Sequence, residues 1–165
     1  MAFDCFIKID GIPGESTDHK HRDWIEVLSF SHAVSQPGSG SRSSGGARSA
    51  ERCDHEDFSV VHTLDKASPK LALFCCRGDH IKTIKIEVCR ATGDKQKYLE
   101  YDLYDAIVSS VRPAGAVKGA ETLPLEVVCF NYGKILVEYR MTDHKDGHMH
   151  GPSTAYWDLV QNRGG

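Results

Sequence analysis

The sequence has no Cys-x-x-Cys pair, although six cysteines are present. A structural zinc site normally shows that spacing, so its lack argues against a small zinc-stapled domain. There is no Gly-x-Ser-x-Gly elbow either. Gly14-Glu15-Ser16 lacks both the second glycine and the strand-to-helix setting of a serine hydrolase. The glycine-rich stretch within 38–46 lacks the closing Lys-Ser/Thr of a phosphate loop, so nucleotide chemistry is not implied. No run approaches the roughly 18 apolar residues that span a bilayer. The opening MAFDCFIKID has neither the basic region nor the long apolar stretch of a secretory leader. These absences predict synthesis in the cytoplasm and, if the protein leaves the cell, export without a cleaved leader. A formal net charge of −3 gives no general affinity for nucleic acid or anionic membrane.

What is present is mostly strand pattern. The 165 residues fit a single domain, 1–165, with a core large enough to fold alone. In Phe3-Asp4-Cys5-Phe6-Ile7-Lys8-Ile9 the odd positions are apolar while Asp4 and Lys8 face the other way, the alternation of a half-buried strand. Residues 11–22 read as a long turn broken by Gly11, Pro13 and Gly14. The stretch from Trp24 to Val34 reads as one strand whose even face (Trp24, Leu28, Phe30, Val34) suits a core. Its odd face, Ser29, Ser31, Ala33 and Ser35, is small, polar and uncharged, a surface from which bulk and charge are excluded. Further strands are predicted over 58–64, 84–88, 98–111, 123–130, 135–140 and 155–160. One helix follows Ser68 as cap, with Pro69 at its first position and Gly78 as its stop. About eight strands with mostly short connections and one helix predict a mainly β fold, an antiparallel barrel or sandwich. The segment 37–52, rich in Gly and Ser and carrying Arg42, Arg48 and Arg52, has too little apolar content to anchor itself and is expected to be a flexible loop.

Nine histidines is many for this length. Two clusters stand out: ESTDHKHRDWIE at 15–26, with His19 and His21, and DHKDGHMH at 143–150, with His144, His148 and His150. His-x-His is a real ligand spacing on a strand, where both rings project from one face. In a turn that geometry is not assured, so the reading is solvated loop histidines, with no metal, no cofactor and no catalytic residue assigned. Cys75 and Cys76, adjacent in an apolar run, are read with the other cysteines as small apolar side chains rather than nucleophiles.

The order and spacing of several short stretches resemble the hemolysin-coregulated protein family of bacterial type VI secretion. They are Phe6-Ile7-Lys8-Ile9, Gly14-Glu15-Ser16, Ile25-Glu26-Val27-Leu28, Asp65-Lys66-Ala67-Ser68-Pro69, Tyr156-Trp157-Asp158 and Gln161-Asn162. The resemblance implies an antiparallel β-barrel of two sheets with one flanking α-helix, and it implies no enzyme. It also implies homo-hexameric rings that stack into a tube, driven by a contractile sheath behind a spike and carrying small effectors in the lumen. Ser29, Ser31 and Ser35 are then expected on the lumen wall, and Arg42, Arg48 and Arg52 in a loop that reaches the neighbouring ring. Synthesis in the bacterial cytoplasm and secretion by the type VI system follow from the same resemblance. Some members of that family carry an added C-terminal toxin domain; here the tube itself is the expected product, and Tyr156 stands where such proteins often have glycine before Trp-Asp. On the residues alone a second reading stays open: a monomeric β-sandwich binding module, or a metal-dependent enzyme using the histidine-rich loops.

Overall fold

The structure is a computed structural model that describes residues 2–37, 52–91, 93–115, 123–143 and 147–165. Among the described residues, twelve strand segments and one helix follow one another: β1 (Phe3–Ile9), β2 (Ile25–Val27), β3 (Ser29–Ser31), β4 (Val34–Ser35), β5 (Asp54–His55), β6 (Phe58–Thr63), α1 (Ser68–Arg77), β7 (Ile81–Arg90), β8 (Lys97–Ala114), β9 (Leu125–Asn131), β10 (Lys134–Tyr139), β11 (Ser153–Asp158) and β12 (Arg163–Gly164). Several segments are only two or three residues long, which is why there are more of them than the pattern of long strands predicts.

The larger sheet runs β12-β11-β10-β8-β7-β1-β2, and the smaller one is built from β3, β6, β9 and the second half of β8. All pairings are antiparallel. The fold is thus the mainly β, two-sheet arrangement with one flanking helix. Among the described residues the sheets do not close into a complete hydrogen-bonded barrel, and the larger one runs on past β8 through β10, β11 and β12.

The two sheets are joined at two corners. β8 is 18 residues long and pairs with β7 and β10 in its first part and with β9 in its second. The change of sheet falls at Asp105, whose φ of 50° places a non-glycine residue in the left-handed region, and a bulge follows between Val108 and Ser110. The other corner is Leu28. β2 pairs with β1 in the larger sheet and β3 pairs with β6 in the smaller, so the expected single strand from 24 to 34 is bent in two. The bend changes the phase of alternation. Ile25 and Val27 enter the core before it and Phe30 packs there after it, while Leu28 and Val34 are more than half exposed. The even face therefore does not supply the core throughout.

The core between the sheets holds Ile7, Ile25, Phe58, Ile84, Ile86, Leu103, Val128 and Phe130, each at most 2% exposed. Burying one such side chain stabilises the fold by about 1.5–3 kcal/mol. α1 lies against β8 through Leu71. Its cap differs by one residue from expectation. Ala67 is the N-cap, without a side-chain bond, and Ser68 Oγ instead accepts the Asp65 N–H at 3.2 Å. Asp65 Oδ1 in turn accepts the Ala67 N–H at 2.9 Å. Gly78 ends the helix with φ 65°, its N–H donating to the Phe74 carbonyl. At Tyr156, β11 continues as an ordinary strand paired with Leu136. Glycine is needed instead across the ladder at Gly164, where an added Cβ would come within 2.3 Å of the Tyr156 carbonyl oxygen and 2.6 Å of the Trp157 ring.

Candidate functional site

The register of the smaller sheet decides what surrounds the serines. Ser29 pairs with Val61 and Ser31 with Ser59 across β3 and β6. Val61 and Ser59 pair in turn with Val127 and Cys129 of β9, and Cys129 and Val127 with Ser110 and Arg112 of β8. Directly paired residues share a face, so Ser29, Ser31, Ser59, Val61, Val127, Cys129 and Ser110 form one outer surface, with Phe30, Val60 and Val128 behind it in the core. Ser29 and Ser31 are exposed, and Ser59 Oγ lies 3.1 Å from Cys129 Sγ. This surface is small-sided and carries one charge, Arg112. Ser35 is exposed too, but on the separate two-stranded ladder of β4 and β5, opposite Asp54. Ser29 and Ser31 thus belong together and Ser35 stands apart. Ser59, Ser110 and Cys129 were not singled out in the sequence, because only cross-strand register brings them beside β3.

Of the loop arginines, Arg52 is exposed at the entry to β5, and Arg42 and Arg48 lie outside the described residues. His144 lies outside them as well.

The histidines divide. His19, His148 and His150 are exposed, as expected of turns. His21 is not: it is 1% exposed, beneath the loop that folds back across the outer face of the larger sheet. That fold-back depends on Gly14, where a Cβ would meet the Trp24 carbonyl oxygen at 2.4 Å. His21 Nδ1 lies 2.9 Å from Asp18 Oδ1 and Nε2 lies 2.8 Å from Glu87 Oε2. Its ring stacks on Phe6 at 4.2 Å and meets Trp24 edge-on at 4.9 Å. Asp18 is further held by Lys95 Nζ at 2.7 Å, and that hydrogen bond above all keeps its carboxyl well below the usual range. The reading of His21 as a solvated turn residue is therefore corrected. A second buried pair, His62 with Glu126 at 2.8 Å, bridges β6 and β9.

His32 and His55 converge on one hydroxyl, Tyr132 Oη, at 2.5 and 3.0 Å. Burial, helped for His32 by the nearby His55, holds both imidazoles below their ordinary value, and burial first of all pushes the Tyr132 phenol up. They stand at the edge of a cleft of about 400 Å3 lined by Val34, Cys53, Ile135, Val137, Tyr156 and Trp157. Among the described residues, the hydrogen bonds of His21, His32, His55 and His62 run to carboxylates and to Tyr132, not to a serine or cysteine that a histidine base could activate. Among the described residues, the cysteines are free thiols.

The model of one protein family, described as a type VI secretion system effector, Hcp, matches residues 6–139. The protein Hcp1 of Pseudomonas aeruginosa is 35% identical over 98% of both chains. A solved structure described as a type six secretion system protein superposes with a TM-score of 0.92 at 32% identity, covering 99% of this chain and all of the other. Hcp1 from Salmonella typhimurium superposes with a TM-score of 0.80 at 34% identity over 99% of each chain.

Proposed function

The chain belongs to the Hcp family of the type VI secretion system, and we propose that it is a subunit of that system's inner tube. The family is structural rather than enzymatic, and its members are secreted proteins. In this reading six copies close into a ring, rings stack, and the sheath drives the stack out behind the spike with small effectors in its lumen. In the same reading the chain is made in the bacterial cytoplasm and leaves by this route. The observation that carries the reading is similarity to Hcp1 over 98% of both chains at 35% identity, matched by superposition of 99% of this chain on a solved relative.

Within the tube, the outer face of the smaller sheet is the lumen wall. Its small, weakly charged side chains would keep the wall wet without gripping a passing protein, and Ser31, paired with Ser59, lies within it. Ser29 shares that wall, and Ser35 is assigned to its rim. The segment 37–52 with Arg42, Arg48 and Arg52 is assigned to contacts between stacked rings. The partners are other copies of the chain, the spike, the sheath and effectors, with no nucleic acid and no membrane.

Export tests the reading. In a bacterium with a working type VI system, the untagged chain is expected in the culture supernatant, and removing the contractile sheath should hold it in the cell pellet. Release that continues undiminished without the sheath would remove the chain from the tube.

A further inference from the structure

The outer face of β7 offers a donor set that the tube does not use. Ile84, Ile86 and Val88 point into the core, so Glu87 and Cys89 point the other way, two residues apart on one strand. The loop carrying His21 lies over them. A ring nitrogen of His21, a Glu87 carboxylate oxygen and Cys89 Sγ all fall within 4.8 Å of one another. Cys89 is completely buried and His21 almost so.

We propose that His21, Glu87 and Cys89 form a binding site for a divalent cation of the zinc class. The donor chemistry selects that class. One imidazole nitrogen, one thiolate sulfur and one carboxylate oxygen suit Zn2+ or Co2+, whereas Ca2+ and Mg2+ require oxygen ligands throughout. The surroundings fit a ligand histidine. Asp18 Oδ1 faces Nδ1 at 2.9 Å, so it can accept the Nδ1–H and leave the Nε2 lone pair aimed at the metal, the usual support of a metal-bound imidazole. Asp18 is itself fixed by the backbone N–H groups of Lys20 and His21, at 3.1 and 3.2 Å, and by Lys95. The ring cannot swing out, because Phe6 and Trp24 clamp it on two sides.

Binding is a proton-for-metal exchange at sulfur and at nitrogen. The Cys89 S–H bond and the His21 Nε2–H bond, which points to Glu87 in the metal-free chain, break, sulfur–metal and nitrogen–metal bonds form, and both protons leave to solvent, with no change of oxidation state. Glu87 keeps Lys97 Nζ at 3.4 Å on Oε1 while its Oε2 faces His21, and that carboxylate makes the position attractive to a cation. Occupancy would tie the loop at 11–24 to β7 on the outside of the larger sheet, away from the serine face.

The test is titration of metal-stripped, untagged protein with Co2+, a coloured stand-in for zinc. One equivalent is expected to produce the near-ultraviolet thiolate-to-cobalt band, competed away by Zn2+. Cys89→Ser, which changes little in volume, should keep the fold and lose the band. Asp18→Asn should keep the band and weaken the affinity roughly 10- to 100-fold, while His19→Gln should leave both unchanged. Thermal unfolding of the wild-type protein provides a second readout, with Zn2+ raising the midpoint and a chelator reversing it. No band at a stoichiometric dose would overturn the proposal, leaving His21 as an ion-pair clamp only. A band that survives in Cys89→Ser but disappears in Cys76→Ser would overturn it too, since Cys76 is an exposed thiol.

Discussion

His19 and His21 sit two residues apart in the same acidic and basic neighbourhood, yet they do different work. One faces solvent and the other fills a slot between Asp18, Glu87 and Phe6. Removing a hydrogen-bond partner from a buried charged group costs more than the bond itself gives. His21→Gln is therefore expected to destabilise the metal-free chain by about 2 kcal/mol or more, read as a lower denaturation midpoint in urea. His19→Gln should stay within about 0.5 kcal/mol of wild type. Equal midpoints for the two variants would mean that the clamp contributes nothing. A second residue-scale effect lies at Glu100, where burial pushes the carboxyl up but hydrogen bonds and charges from Lys85 and Lys97 outweigh it and hold it at about 2. Lys85 Nζ donates to it at 2.6 Å. Because the folded value lies below the ordinary 4.5, this stability is present above about pH 4.5 and is lost as pH falls toward 2. Neighbouring Asp102 is raised, by burial and then by Glu100, which opposes and reduces the net effect. Unfolding followed from pH 6 down to 2.5 should show a shallower acid limb in Glu100→Gln than in wild type.

At the scale of elements, β3 carries the functional argument. Ser31 is exposed on a three-residue strand with Phe30 behind it in the core, so added bulk at Ser31 goes outward. Ser31→Gln should change stability by less than about 0.5 kcal/mol and still impair retention of a co-expressed small effector, with rings intact. Normal effector levels would remove Ser31 from the wall, and loss of rings would make that face a subunit contact. The shared outward face of Ser29 and Ser31 was legible because they flank Phe30, whereas Ser35 falls on the separate β4–β5 ladder, and α1 was legible because Pro69 and Gly78 mark its ends. The corner at Leu28 was not legible, since nothing local marks a residue that hands the chain from one sheet to another. The same limit hid Ser59 and Cys129, and it hid the meeting of His21 with Glu87 and Cys89. Those neighbours come from strand register across dozens of residues, and local periodicity carries no register.

The whole chain shows features of a part rather than a finished object. Val160, Leu123, Leu28 and Val34 are 78%, 68%, 57% and 54% exposed, and the apolar cleft beside Tyr156 and Trp157 opens on the same molecule. A closed ring of identical copies can cover such surface and shield the edge strands β2 and β12 together. If it does not form, the lumen assignment of the serine face loses its meaning. The most direct test is the mass of the untagged protein in solution, by light scattering after size exclusion at micromolar concentration. The tube reading predicts a single species of about six times the 18.3 kDa of one chain, or multiples of that mass where rings stack. A mass of one chain across the whole concentration range would contradict it.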